Sequence, residues 1–172
     1  MRIAILGPES TGKSTLAQAL ASHFGYALVP EYARTYVEQL HRAYTIDDVL
    51  TIARHQVDEL ADTRPDIIYD TEMIITKVWL EHKYGTCPAW VDEAIQRYPM
   101  DLYLLCYPDI AWEADPTREN PHLREALFER YEQEIQRTHV PYIIVRGRVR
   151  ELLLKEQTKS ISDLLDRDYL NG

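Results

Sequence analysis

Short apolar runs alternating with helical segments predict an α/β fold, a five-stranded parallel sheet with helices on both faces. Three observations carry this. The runs at 2–6, 26–30, 66–70, 101–106 and 142–146 are mostly apolar, as strands covered on both sides must be. Helical patterns fill every gap between them, which calls for right-handed crossovers and a parallel sheet. The first run also leads straight into Gly7-Pro-Glu-Ser-Thr-Gly-Lys-Ser14, two glycines with four residues between them followed by Lys and Ser. That is the phosphate-binding loop pattern in its required place between a strand and a helix.

Each helix has its own signal. Residues 13–24 place Leu16, Ala17, Leu20, Ala21 and Phe24 on one face. Tyr32, Tyr36, Val37 and Leu40 give helical spacing to 31–41. Thr45 with Asp48 three residues on is a capping-box start, with Asp in place of Glu or Gln. It opens a helix carrying Val49, Ile52, Ala53, Val57 and Leu60. A helix over 72–84 has Thr71 as its expected N-cap and Gly85 as its stop. Pro88 opens a short helix to Tyr98. Asn120-Pro121 is a cap followed by a first-position Pro, predicting a long helix to about His139. The last helix is expected from about Arg148 to Leu165.

Composition bounds the function. The 172 residues suggest a single domain over 1–172, long enough to bury a core without staples. With 45% hydrophobic and 27% charged residues, the chain fits a globular class. Its net charge of −9 repels phosphate backbones and argues against a nucleic-acid partner. No apolar run is long enough to span a membrane, and no signal-peptide pattern precedes the first strand. Cys87 and Cys106 lack metal-ligand spacing and read as reduced structural thiols of a cytoplasmic protein.

The loop implies a nucleoside triphosphate. Its backbone N–H groups and the positive end of the following helix face an anion. Gly7, Glu9, Ser10, Thr11, Gly12, Lys13, Ser14 and Thr15 form the expected ATP-binding set. Lys13 reaches the β- and γ-phosphates, and the Ser14 hydroxyl binds Mg²⁺. Ligands of such sheets sit at the carboxyl ends of the strands, so the segments after Pro30, Asp70 and Cys106 converge on the loop.

Asp70 ends an apolar strand and is the second candidate Mg²⁺ ligand. Glu72 reads either as its partner or as a first-turn acid complementing the helix dipole. Glu31, Tyr32 and Arg34 follow the second strand and face the acceptor substrate. Glu31 and Asp70 compete for the role of base toward an acceptor hydroxyl. Residues 108–124 are polar, Pro-punctuated and read as a lid. In it Arg118, with Arg124 one turn into the next helix, neutralises charge on the triphosphate. Trp112 is expected to stack on a flat ring and Asp115 to accept from sugar hydroxyls. His55 and His82 read as structural, Trp79 and Trp90 as core, and the 12 Tyr as scattered.

Four segments together carry a resemblance: GPESTGKST at 7–15, VPEYARTYV at 29–37, IYDTE with KVW at 68–72 and 77–79, and PDIAWEADPTREN at 108–120. In order, over roughly residues 1 to 150, the chain resembles the ribosylnicotinamide kinase domain of NadR-type proteins. The resemblance implies a nucleoside-kinase-like P-loop fold and transfer of the γ-phosphoryl group of ATP to the 5′-hydroxyl of nicotinamide riboside. It implies that Trp112 borders the nicotinamide ring and that Asp115 and Arg118 contact ribose or phosphate. Asp70 then belongs to the Mg²⁺ and hydroxyl site, and Glu31, Tyr32 and Arg34 line the riboside pocket. NadR-type proteins carry an adenylyltransferase domain ahead of the kinase. This chain starts at the kinase's first strand, so adenylyl transfer is expected to fall to a separate adenylyltransferase. Some relatives have Gly after the lid Asp where this chain has Pro116, which implies a stiffer lid.

Two alternatives stand beside this reading. One is a kinase for another nucleoside or nucleotide; a single Arg near Glu31 fits a nucleoside better than a monophosphate. The other is an ATPase or regulatory switch without a small-molecule acceptor. A guanine-reading Asn-Lys-x-Asp is missing, and position 73, where a switch would carry Gly, is Met.

Overall fold

The computed structural model describes residues 1–115 and 118–154. Five parallel strands run β1 (Arg2–Leu6), β2 (Ala27–Val29), β3 (Ile67–Asp70), β4 (Leu102–Cys106) and β5 (Tyr142–Val145), in the spatial order β2-β3-β1-β4-β5. The helices are α1 (Lys13–Phe24), α2 (Tyr32–Gln39), α3 (Ile46–Leu60), α4 (Met73–Tyr84), α5 (Ala89–Arg97), α6 (Arg124–Thr138) and α7 (Gly147–Leu154). β1 lies at the centre between β3 and β4, so the loop leaving it opens at the point where the crossovers change direction.

Successive strand residues point to opposite faces, and the core divides accordingly. Ala4, Leu6, Tyr69, Tyr103 and Leu105 join one buried cluster with Val49, Ala53, Ile74, Val78, Leu127 and Ile135 of the helices. Ile3, Ile5, Ile68, Leu104 and Cys106 join the other, with Leu16, Ala17 and Leu20 of α1. Each such aliphatic side chain contributes about 1.5–3 kcal/mol when fully buried, so the apolar strand runs themselves fix the layering.

The capping box forms as expected. Asp48 accepts from the Thr45 N–H at 2.7 Å and from the Thr45 hydroxyl at 2.8 Å. Arg42 grips the same carboxylate at 2.7 and 2.8 Å and holds it well below the usual carboxylate range. Gly85 ends α4 with φ +67°.

Two helix starts differ from expectation. Thr71 does not cap α4. Its N–H continues the sheet by bonding Ile5 O at 3.2 Å, and its φ is +74°. The cap moves to Glu72, whose carboxylate accepts from the Ile74 N–H at 3.0 Å. Asn120 does not cap α6. Its own N–H is taken by the Glu9 carboxylate at 3.0 Å, and its carbonyl closes a turn to Leu123, so the helix begins at Arg124. The expected final helix is described to Leu154. Its continuation to Leu165 lies outside the described residues, as does Pro116. Among the described residues no helix is long and apolar enough to cross a membrane.

Candidate active site

The phosphate loop is built by what β1 and β4 allow. Gly7 follows β1 at φ +142°, and a Cβ there would sit 2.6 Å from Cys106 O, so only glycine fits. Ser10 (φ 56°) and Gly12 (φ 75°) complete the curl before α1. Inside it the Thr11 hydroxyl and Lys13 Nζ both donate to Pro8 O at 2.8 Å. The first turn of α1 has no acidic residue to compete for its N–H groups. The geometry is a helix N-terminus plus an ammonium, which suits an anion.

Asp70 is brought to this loop by register. β1 and β3 pair Ile5 with Asp70, so the carboxylate emerges beside the loop's root. It is buried, and the Ser14 side chain lies beside it. Burial raises its pKa, Ser14 works against that, and Glu31 raises it further. Its Oδ1 has no hydrogen-bond partner. A buried carboxylate oxygen without a donor, next to a serine hydroxyl, is a donor set suited to a hard divalent cation. Glu72 is not part of this group. It is 2% exposed, caps α4, and burial pushes its carboxyl up to about 8.

The segment between β4 and α6 lies over the loop. The Ser10 hydroxyl accepts from Glu113 N–H at 2.9 Å and from Arg118 at 3.4 Å, and Arg118 also donates to Glu113 O. Arg124 donates to Ser10 O at 2.9 Å and to Ile110 O at 3.1 Å. The Nε of each arginine is buried without an acceptor. Arg124 is held below its usual pKa by burial and by Arg118 beside it, against the pull of Asp109. Two guanidinium donors crowded over a glycine loop are arranged for an anionic ligand. Asp109, also in this segment, is occupied elsewhere, by Arg150 and by Gly147 N–H at 2.8 Å.

Between these parts lies a cavity of about 330 Å³. Its floor is the phosphate loop. Its walls come from α2 (Ala33, Arg34, Val37), α4 (Ile75, Thr76, Trp79, His82), Ile110, Glu113, Arg118, Glu119 and Asn120, and α6 (Leu127, Tyr131). The three segments expected to converge on the loop do so. Arg34 bridges Asp115 at 3.1 Å and Glu31 at 3.6 Å, so Asp115 meets a guanidinium in this structure.

Five of the expected residues do not line the cavity: Asp70 and Arg124 lie beside the phosphate loop, Asp115 pairs with Arg34, and Trp112 and Tyr32 pack elsewhere. Trp112 is half-buried against Arg124, whose guanidinium lies 5.9 Å from its ring, and it does not line the walls. Tyr32 stacks on His55 at 3.6 Å, joining α2 to α3. The aromatic rings among the lining residues are instead Tyr44, Trp79 and Tyr131. Trp79 is half-buried, packed against the core yet lining the cavity, and its ring meets Tyr44 edge-on at 5.0 Å. A signal was available: Ile75, Trp79 and His82 share one face of the helix that starts at the carboxyl end of β3.

A family model described as an AAA domain (AAA_28) matches residues 2–151. The chain belongs to that family. It is also similar to the "Trifunctional NAD biosynthesis/regulator protein NadR" of Salmonella typhimurium and of Escherichia coli. Each is 30% identical over 124 residues, which is 67% of this chain and 30% of the relative. The chain thus spans about a third of those proteins' length. Among solved structures, NadR in complex with NR superposes with a TM-score of 0.73 at 22% identity, covering 86% of this chain and 46% of that one. The deoxyadenosine kinase of M. mycoides gives 0.65 at 16% identity, covering 96% and 99%. Ehrlichia chaffeensis thymidylate kinase gives 0.66 at 12%, covering 96% and 98%. The fold is that of P-loop nucleoside and nucleotide kinases.

Proposed function

We propose that this chain transfers the γ-phosphoryl group of ATP to the 5′-hydroxyl of nicotinamide riboside, giving nicotinamide mononucleotide. The observation that carries the reading is the make-up of the cavity lining. Trp79 and Tyr44 offer aromatic surface with Glu119 beside Tyr44, and Glu31 and Glu113 add carboxylates elsewhere on the walls. A cationic ring on a sugar suits both features, through ring stacking, cation–π attraction and charge. A monophosphate acceptor would meet carboxylates and the already paired Arg34. The relatives support the same choice: one is named for NAD biosynthesis, and a NadR protein of the same fold was solved in complex with NR.

The roles follow from position. Lys13, Arg118 and Arg124 gather the triphosphate against the loop. Ser14 and Asp70 would hold Mg²⁺, which supplies charge neutralisation across the β- and γ-phosphates. That assignment leaves Glu31, on the cavity wall, to orient the 5′-hydroxyl and accept its proton. The 5′-oxygen then bonds to the γ-phosphorus, and the bond from that phosphorus to the β–γ bridging oxygen breaks, releasing ADP. Orientation contributes more than basicity to such a loose transition state.

The test is ADP release with Mg·ATP, with and without nicotinamide riboside, beside a panel of nucleosides and nucleoside monophosphates. Riboside-dependent release with nicotinamide mononucleotide as product is expected. Turnover only with another acceptor would keep the kinase and discard the riboside. Release indifferent to every acceptor would favour an ATPase switch.

A further inference from the structure

Glu119 is held from two sides. Its backbone N–H, with that of Asn120, donates to the carboxylate of Glu9 in the phosphate loop, at 3.1 and 3.0 Å. Its side chain reaches the other way. Its Oε2 accepts from the Tyr44 hydroxyl at 2.7 Å and from Lys83 Nζ at 2.9 Å. Tyr44 in turn accepts from the Trp79 indole N–H at 3.2 Å and from Lys83. One residue therefore connects the loop that faces the triphosphate to the aromatic wall that faces the acceptor.

We propose that Glu119 is a positioning residue that fixes Tyr44, and through it the Trp79 ring, relative to the phosphate loop, and so sets affinity for the acceptor. The kinetic part of this inference rests on the kinase reading above. The structural part does not.

The energetics favour positioning over stability. Glu119 and Lys83 are substantially solvent-exposed, and an exposed ion pair of this kind adds little to folding. Geometry is another matter. A half-buried indole at the edge of the core keeps alternative rotamers, and an N–H···O bond to a fixed phenol selects one. The phenol is fixed because its hydroxyl has three partners: one carboxylate to donate to, and two donors to accept from. Burial alone would raise the Glu119 carboxyl, yet Tyr44 and Lys83 outweigh it and hold the group below its usual range. The carboxylate thus stays ionised as an acceptor for Tyr44 throughout the neutral range.

Two readouts test this. In a Trp90→Phe, Trp112→Phe background, Trp79 is the sole indole. Glu119→Ala and Tyr44→Phe should each raise its acrylamide quenching about twofold, and Glu119→Gln, which keeps an acceptor oxygen for Tyr44, should restore most of the protection. In steady-state kinetics Glu119→Ala should raise the riboside KM about tenfold and leave the ATP KM within about twofold, with Glu119→Gln in between. Unchanged Trp79 quenching in Glu119→Ala overturns the inference whatever the substrate is. Equal shifts in both KM values, or Glu119→Gln no better than Ala, overturn it as well. If no acceptor is phosphorylated at all, the kinase reading fails, and the quenching still decides whether Glu119 positions Trp79.

Discussion

The side chain of Ser14, at the start of α1, neighbours the carboxylate of Asp70, at the end of β3, and favours its ionised form. Two elements far apart in sequence thereby present two oxygen ligands at one point beside the phosphate loop. Burial works against the Asp70 charge, so the fold pays for that placement in stability. Asp70→Asn should therefore cost about a hundredfold or more in Mg²⁺-dependent turnover, while thermal stability stays level or rises. A Mg²⁺ titration of kcat beside a melting curve checks both. Near-normal turnover would move the metal elsewhere.

Lys13 presently spends its ammonium on Pro8 O at 2.8 Å, folded back onto its own loop. That contact is one a phosphate oxygen can replace. Lys13→Ala should reduce transfer by about a thousandfold with little change in fold, since the side chain is not in the core. Single-turnover assays with a saturating acceptor test this, and retained activity removes the loop lysine from the chemistry.

The two tryptophans at issue separate by which substrate they affect. Trp79 lines the cavity and Trp112 lies against Arg124. Trp79→Ala should raise the acceptor KM by about ten- to a hundredfold and spare the ATP KM. Trp112→Ala should instead act on the ATP side, through Arg124. A larger acceptor effect at Trp112 than at Trp79 would return the ring site to the lid.

The contrast between those tryptophans shows what was legible in the sequence. The sheet, the loop and Asp70 were readable because they are local: apolar runs, a glycine spacing, a carboxylate ending a strand. All five strands fall where the apolar runs lie. The aromatic wall was harder because it is assembled by side chains from three segments. Tyr44 precedes α3, Trp79 sits on α4 and Tyr131 on α6, and only tertiary packing brings them to one cavity. Trp112 misled for the converse reason. A tryptophan in a polar stretch looks like a ligand platform, but the arginine that opens the next helix can occupy its face equally well. Thr71 and Asn120 resemble caps in isolation. Each has its backbone N–H drawn to a distant acceptor, Ile5 O and Glu9, so neither starts its helix.

Gly7 gives a purely steric prediction. Its φ of +142° and the 2.6 Å approach of a Cβ to Cys106 O leave no relaxed solution for alanine. The contact is with backbone in a central strand, which cannot move aside cheaply. Gly7→Ala should destabilise the fold by roughly 2–4 kcal/mol and weaken nucleotide binding along with it. Chemical denaturation gives the first and ATP-dependent thermal stabilisation the second. A variant as stable as the parent would mean the loop can rebuild.

Glu72 makes stability fall with rising pH. Its carboxyl is fully buried, and burial outweighs the backbone N–H bonds from Ile74 and Met73, raising it from the ordinary value near 4.5 to about 8. Between those two values the folded chain holds a proton that the unfolded chain has released. The unfolded state binds fewer protons, so the stability slope with pH is negative in that window. The contribution is complete below about pH 4.5 and is lost as pH rises toward about 8, a change on the order of a few kcal/mol. Glu72→Gln keeps an oxygen to accept from the Ile74 N–H but cannot ionise. The variant should match or trail the parent at pH 5, exceed it at pH 8, and show a flatter profile between. Denaturant midpoints from pH 5 to 9 for the two proteins decide it; parallel curves would mean that Glu72 stays ionised in its buried cap.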